Sequence, residues 1–242
     1  MKFGWIAALA AVIVAPVVAA PAAADELVIR KPLAAYNITL EALKAGYEAS
    51  SGDKIKIVEG NDVPADLVIT FKTDIEAQFK AGKLVSVGAD VAEMRVGMAV
   101  KEGAAKPDIS TPDKFKAAML AAKSVAVSRG PSGQYLMTEL FPKLGIADQM
   151  KPKTVVVTTG LVAEVVPRGE AEAGFQQMSE LLPIKGISIV GPLPESIQRV
   201  TVYTAAITTD AKAGAAAMRF IAYVKSPAAA AAYKATTVGQ IK

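Results

Sequence analysis

The sequence predicts an α/β fold with mainly parallel sheets, on three observations. Short β-branched runs alternate with segments of helical apolar spacing through residues 25–242. No internal repeat or block of like charge interrupts that alternation. The 242 residues, 52% of them hydrophobic, suffice for one large or two small domains with a sizeable core.

Each element follows from its local pattern. "DELVIR" reads as a strand, and "NITLEALKAGYEASSG" as a helix with Leu40, Leu43 and Tyr47 on one face, Asn37 as N-cap and Gly52 as its stop. "KIKIVEG" alternates like a half-buried strand. "ADLVIT" is a buried strand that runs into "TDIEAQFKAGKL", where Thr73 and Glu76 have capping-box spacing and Ile75 and Phe79 form the inner face. "MRVGMAVK" is the next strand. Thr111-Pro112 opens a helix that turns Phe115 and Met119 inward. "SVAVS" is a strand, and the helix from about Ser132 buries Leu136, Met137, Leu140, Phe141 and Leu144. "KTVVVTT", a short helix to Arg168, "AEAGFQQ" and "GISIVG" follow, then the long strand "RVTVYTAAIT". Two helices finish the chain, the second announced by Ser226-Pro227. Its "SPAAAAAYKA" is biased toward the best helix former.

Residues 1–24, "MKFGWIAALAAVIVAPVVAAPAAA", place Lys2 before an unbroken apolar run and end in small residues. That is the order of a secretory leader, with cleavage expected before Asp25. A membrane anchor is the competing reading, disfavoured by Pro16, Pro21 and the small-residue exit. Removing the leader lowers the formal net charge from +4 to +3 and leaves 218 residues. That balance is too mild for nucleic-acid binding, and no basic stripe interleaved with aromatics is present.

The sequence contains no cysteine and no histidine. Disulfides, thiolate catalysis and lipoprotein acylation are thereby excluded, as are a Ser-His-Asp triad and most zinc sites. No cofactor is expected. A secreted chain without either residue is better equipped to bind than to catalyse.

The stretch richest in chemistry is "SVAVSRGPSGQYLMTELFPKLG", where a strand turns into a helix through Ser128, Arg129, Gly130, Pro131, Ser132 and Gly133. A helix start leaves N–H groups unpaired and carries partial positive charge, so such a turn can receive an anion. The serines add hydroxyls, the glycines permit close approach, and Arg129 would add a charge-assisted bond. The plainer alternative is that Ser132 only caps the helix and Arg129 is solvated. A hydrolase elbow is excluded, because position 134 is Gln rather than Gly and no histidine exists to act as base.

In order along the chain, "PADLVIT", "SVAVSRGPSGQY…LFPKLGI", "RGEAEAGF", "LPESIQRVTVYTAAI" and "AAMRFIAYVKSPAAAAAYK" resemble the periplasmic solute-binding proteins of ABC importers, specifically the molybdate-binding type. The likeness spans nearly all of residues 25–242. It implies a two-lobed type II periplasmic-binding-protein fold, with lobe one from 25–97 and 202–242 and lobe two from 98–201. Crossing segments would run near Met94 to Lys101 and Gln198 to Thr208. It also implies a small anionic ligand in the cleft at strand C-termini, an ABC permease as partner, a periplasmic location and a monomeric state.

On that alignment Arg30 and Lys31 follow the first strand, and Phe71 and Lys72 follow the third. Thr158 and Thr159 open a helix, Gln177 falls where a ligand-contacting tyrosine is common, and Tyr203 lies on the returning strand. With Ser128, Arg129, Ser132 and Gly133 they form the expected site; singly, each could equally be capping or solvated.

The departures bear on the ligand. The molybdate binders use neutral donors from an early serine turn and a Gly-Gly-Ser-Gly-like loop, whereas here the first turn is "RKPLAAYN" and the second loop "VEGNDVPAD". Hydroxyls lost and cations gained favour a di- or tricarboxylate over molybdate. Two alternatives stay open: a sensor or scavenger with no permease, and an enzyme using Glu59, Asp62, Tyr135 or Tyr203.

Overall fold

The computed structural model describes residues 25–30, 34–60 and 63–242. Residues 1–24, where a leader is expected, and Lys31 and Asp62 lie outside the described residues. Among the described residues, no helix is long and apolar enough to cross a membrane.

The chain runs β1 (Glu26–Arg30), α1 (Ala34–Ser51), β2 (Lys54–Val58), β3 (Leu67–Phe71), α2 (Lys72–Lys80) and the long β4 (Ala89–Lys101). Next come α3 (Pro112–Ala121), β5 (Val125–Ser128) and a continuous helical rod. The rod is α4 (Pro131–Tyr135), a π turn over Leu136–Leu140 and α5 (Phe141–Lys143). Then follow α6 (Ala147–Met150), β6 (Thr154–Val157), a 3-10 turn at Val162–Val165, β7 (Ala173–Gln177), α7 (Met178–Leu181) and β8 (Ile187–Pro192). The chain closes with β9 (Val200–Ile207), α8 (Gly214–Lys225), α9 (Ala230–Ala235) and the short β10 (Gly239–Gln240).

One mixed sheet links the strands in the order β2-β1-β3-β9-β4-β7-β5-β6, with β8 and β10 also pairing with β4. Parallel pairs lie toward both ends, β1 with β2 and β3, and β5 with β6 and β7. The middle is antiparallel, centred on β4. The first half of β4 pairs with β9 from Ala89 to Arg95, and its second half with β7 and β8 from Val96 to Lys101.

Two large hydrophobic cores correspond to those two halves. The first gathers Leu27, Ile29, Leu40, Leu43, Leu67, Ile69, Met94, Tyr203 and Phe220; the second gathers Val96, Met98, Phe115, Val125, Val127, Leu136, Leu140 and Phe175. Each such buried side chain contributes roughly 1.5–3 kcal/mol. β3 and β5 are mostly apolar and buried along nearly their whole length, as strands covered on both faces are. At the changeover, Gln198 clasps Val96 like a strand residue: its Oε1 accepts the Val96 N–H (2.9 Å) and its Nε2 donates to the Val96 carbonyl (3.0 Å). Buried Asp66 pins β1 to the start of α8. Burial opposes its charge, but N–H groups of Ala213, Val28 and Lys212 outweigh that and hold its carboxyl below the usual range.

Several local expectations need correction. α1 already begins at Ala34, so Asn37 lies within it and caps nothing, whereas Gly52 ends it with φ +80°. α2 starts directly after Phe71, which leaves Thr73 inside the helix with no side-chain cap. Ile75 is buried as expected, but Phe79 is 41% exposed, because this short helix touches the core along a narrow stripe. β4 starts at Ala89, well before Met94, since pairing with β9 orders the more polar "ADVAE".

Candidate functional site

The turn after β5 forms one wall of a cavity of about 230 Å³. Gly130 is extended at the N-cap position and Pro131 begins the helix, where its missing N–H costs nothing. Ser128 Oγ accepts the Gly130 N–H (3.1 Å) and lies 3.3 Å from Ser132 Oγ. Gly133 makes this possible: a β-carbon there would lie 1.9 Å from the Ser128 carbonyl oxygen, so only glycine lets the helix sit this tightly on the strand.

The opposite wall comes from β7 and α7. The buried Gln176 accepts the Ala163 N–H at its Oε1 (2.7 Å). Gln177 caps α7: its N–H donates to Glu180 Oε2 (3.1 Å), and its Nε2 donates to Thr201 Oγ1 (3.2 Å). Glu180 faces the same cavity. Burial raises its carboxyl above the usual range, only partly offset by bonds from the Gln177 N–H and the Gln176 side chain.

β9 contributes the floor. Tyr203 is fully buried, stacked on Tyr36 (5.4 Å, 19°) and met edge-on by Phe71 (5.1 Å). The residue borders the cavity, and its hydroxyl, itself shut off from solvent, finds no hydrogen-bond partner among the described residues. Burial, and then the charge of Glu180, push its pKa far above the usual phenol value, so it stays protonated.

Among the described residues three other hollows, of about 320, 330 and 360 Å³, are larger, but each is lined solely by residues between 98 and 185. Of the four, the smaller cavity alone is lined from both ends of the sheet, with Phe71 and Tyr203 from β3 and β9 and Ser128, Ser132 and Gln176 from β5, α4 and β7. It also gathers the most converging polar groups, which marks it as the candidate site despite its size.

The residues singled out from the sequence are distributed unevenly. Ser128, Ser132, Gln177 and Tyr203 line the cavity, and Gly133 shapes it from beneath. Arg129 is exposed and outside the lining. Lys72 is half-exposed and ion-paired to Asp90 (2.8 Å), which also accepts the Thr204 hydroxyl (2.6 Å). Arg30 is half-buried at the end of β1, beside Val68. Thr158 and Thr159 are exposed and do not open a helix, since the 3-10 turn begins at Val162.

Of the catalytic alternatives, Tyr135 is committed to structure: its hydroxyl donates to the Ile197 carbonyl (2.8 Å) and Arg199 covers its ring. Glu59 is exposed. Among the described lining residues there is no lysine or arginine, and the one ionisable carboxylate is Glu180.

Sequence reasoning missed Gln176 and Glu180. The signal was available, because Gln177 and Glu180 stand at capping-box spacing directly after a strand. Among the described residues, no group of three or more acidic side chains could hold a metal ion.

Comparison with known proteins follows the same outline. Residues 39–236 match the family described as bacterial extracellular solute-binding protein. An aconitate isomerase from Pseudomonas sp is 33% identical over 210 residues, covering 80% of each chain. The substrate-binding domain assigned to a molybdenum ABC transporter from Clostridium difficile superposes with a TM-score of 0.72 at 20% identity, covering 90% of this chain and 100% of that one. The periplasmic molybdate-binding protein of Azotobacter vinelandii gives 0.66 at 20% identity, covering 89% and 99%.

Proposed function

This chain belongs to the bacterial extracellular solute-binding proteins and has their molybdate-binding-like type II fold, and from that premise we propose that it captures a small organic polycarboxylate in the periplasm for an ABC permease. The lobes would be 25–97 with 202–242 and 98–201, closing about the crossing strands β4 and β9. The leader would be removed before Asp25.

One observation carries this reading: the cavity lined from both ends of the sheet combines hydroxyl and amide groups with Phe71, Pro131, Leu161 and Val162. Hydroxyls suit carboxylate oxygens, while the apolar members suit a carbon skeleton and would be wasted on a bare metal oxyanion. The aconitate isomerase relative, whose named substrate is a tricarboxylic acid, points to the same ligand class. Arg30, Lys31, Lys72, Arg129, Thr158 and Thr159 would meet the ligand only as the lobes close over it.

Calorimetry of the purified protein tests this with cis-aconitate, trans-aconitate, citrate and molybdate. A dissociation constant near micromolar, about −8.2 kcal/mol, is expected for at least one organic acid. Tight molybdate binding with silence toward the organic acids would overturn the assignment.

A second reading has its own support. The isomerase relative and the Glu180–Tyr203 wall together favour conversion of the captured acid rather than simple delivery.

A further inference from the structure

We propose that Glu180 and Tyr203 are catalytic residues for a proton shift along the carbon chain of a bound unsaturated polycarboxylate. This rests on the second reading above and assigns it residues.

The point of departure is the Tyr203 hydroxyl. Burying a hydroxyl without a partner is unfavourable, and phenylalanine would keep both the Tyr36 stack and the Phe71 contact. Packing therefore explains the ring of Tyr203 but not its oxygen. Tyr203 borders the same cavity as Glu180, Ser128 and Ser132, and a ligand carboxylate pressed against its buried oxygen would supply the missing partner.

Glu180 is the complementary group. It is held in place from two sides, by the Gln177 N–H (3.1 Å) and by the Gln176 side chain, whose own carbonyl is fixed by the Ala163 N–H. A carboxylate oriented in this way, with burial raising its proton affinity above the ordinary value, has the attributes of a general base.

In an acid such as aconitate, a methylene lies beside both a carboxylate and a carbon–carbon double bond. Glu180 would remove one methylene proton: the C–H bond breaks, an O–H bond forms on Glu180, and the electron pair delocalises over the three-carbon unit and its carboxylates. Tyr203, remaining protonated, would donate a hydrogen bond to the carboxylate on which that charge gathers. Glu180 then returns the proton to the far carbon of the unit. The double bond has moved, the groups about it can exchange cis for trans, and neither oxidant nor co-reactant is consumed.

Purified full-length protein is incubated with trans-aconitate in heavy water and followed by proton NMR, with calorimetry and thermal unfolding alongside. Wild type should form cis-aconitate. Glu180→Gln retains a residue that can serve the cap but cannot accept the proton, and should lose at least a hundredfold in turnover. Tyr203→Phe should lose about a hundredfold. Both should keep the dissociation constant for aconitate within about tenfold and a melting temperature no lower than wild type, as a merely structural role would not allow. Wild-type turnover in either variant overturns the pair. A wild type that binds aconitate but neither isomerises it nor exchanges its methylene protons overturns the proposal while leaving the binding function intact. Failure to bind aconitate at all removes both.

Discussion

In the turn after β5 the hydroxyls keep company: Ser128 Oγ takes the Gly130 N–H and lies 3.3 Å from Ser132 Oγ. Across the cavity, Tyr203 has no partner for its hydroxyl among the described residues, and Glu180 keeps a carboxyl in surroundings that disfavour its charge. The hydroxyls of the first wall are paired without ligand and are neutral at any ordinary pH. The second is left electrically incomplete. A site that only had to hold an anion could have been built from two walls of the first kind, so the contrast separates recognition from whatever else the cavity does.

The comparison breaks most sharply at Gly133. Gly133→Ala places a methyl group 1.9 Å from the Ser128 carbonyl oxygen and should cost about 3 kcal/mol in chemical denaturation, taking ligand affinity with it. Near-native stability would mean that the first wall is not rigid. A gentler probe is Ser132→Ala, which removes one hydroxyl from the cavity. About tenfold weaker binding, or about 1.4 kcal/mol, is expected in a titration, with stability changed by less than about 1 kcal/mol.

The second wall should respond with the opposite sign. Tyr203→Phe deletes a buried oxygen that has no partner, so unfolding should require about 1 kcal/mol more rather than less. A clear loss of stability would reveal a structural role for the hydroxyl.

The smallest effect is one of pH. The folded chain holds the Glu180 proton more tightly than the unfolded chain, because burial raises that carboxyl from its ordinary value of 4.5. Stability from this group is complete below pH 4.5 and is lost as pH rises through the folded value. Glu180→Gln removes that titration, so it should gain on wild type as pH rises from acid to neutral. Parallel stability profiles would show that the carboxyl is not held above its usual range.

What the sequence revealed follows the same division. β3, β5 and β9 announce themselves because strands buried on both faces or packed along one must be β-branched and apolar. The Ser-Arg-Gly-Pro-Ser-Gly turn was legible because glycine, proline and serine each have a local reason to be there. The direction of a side chain leaving that turn was not legible: Arg129 is exposed although its neighbours line the cavity. Glu180 was overlooked because its proximity to Tyr203, 23 residues away in sequence, is created by strand pairing rather than by spacing. Asn37 and Thr73 misled for another reason. Both helices begin earlier than their favoured caps, α2 without any intervening loop after β3.

β4 serves two cores in succession, and the handover falls between Met94 and Val96. Next along the strand is Gly97, where a β-carbon would lie only 2.1 Å from the Met178 sulfur. The first residue of α7 thus leans on bare backbone at the waist of the molecule, and Glu180 rides two residues further along the same helix. Any change in the bend of β4 at Gly97 would pass through Met178 to the Glu180 carboxylate with no separate moving part.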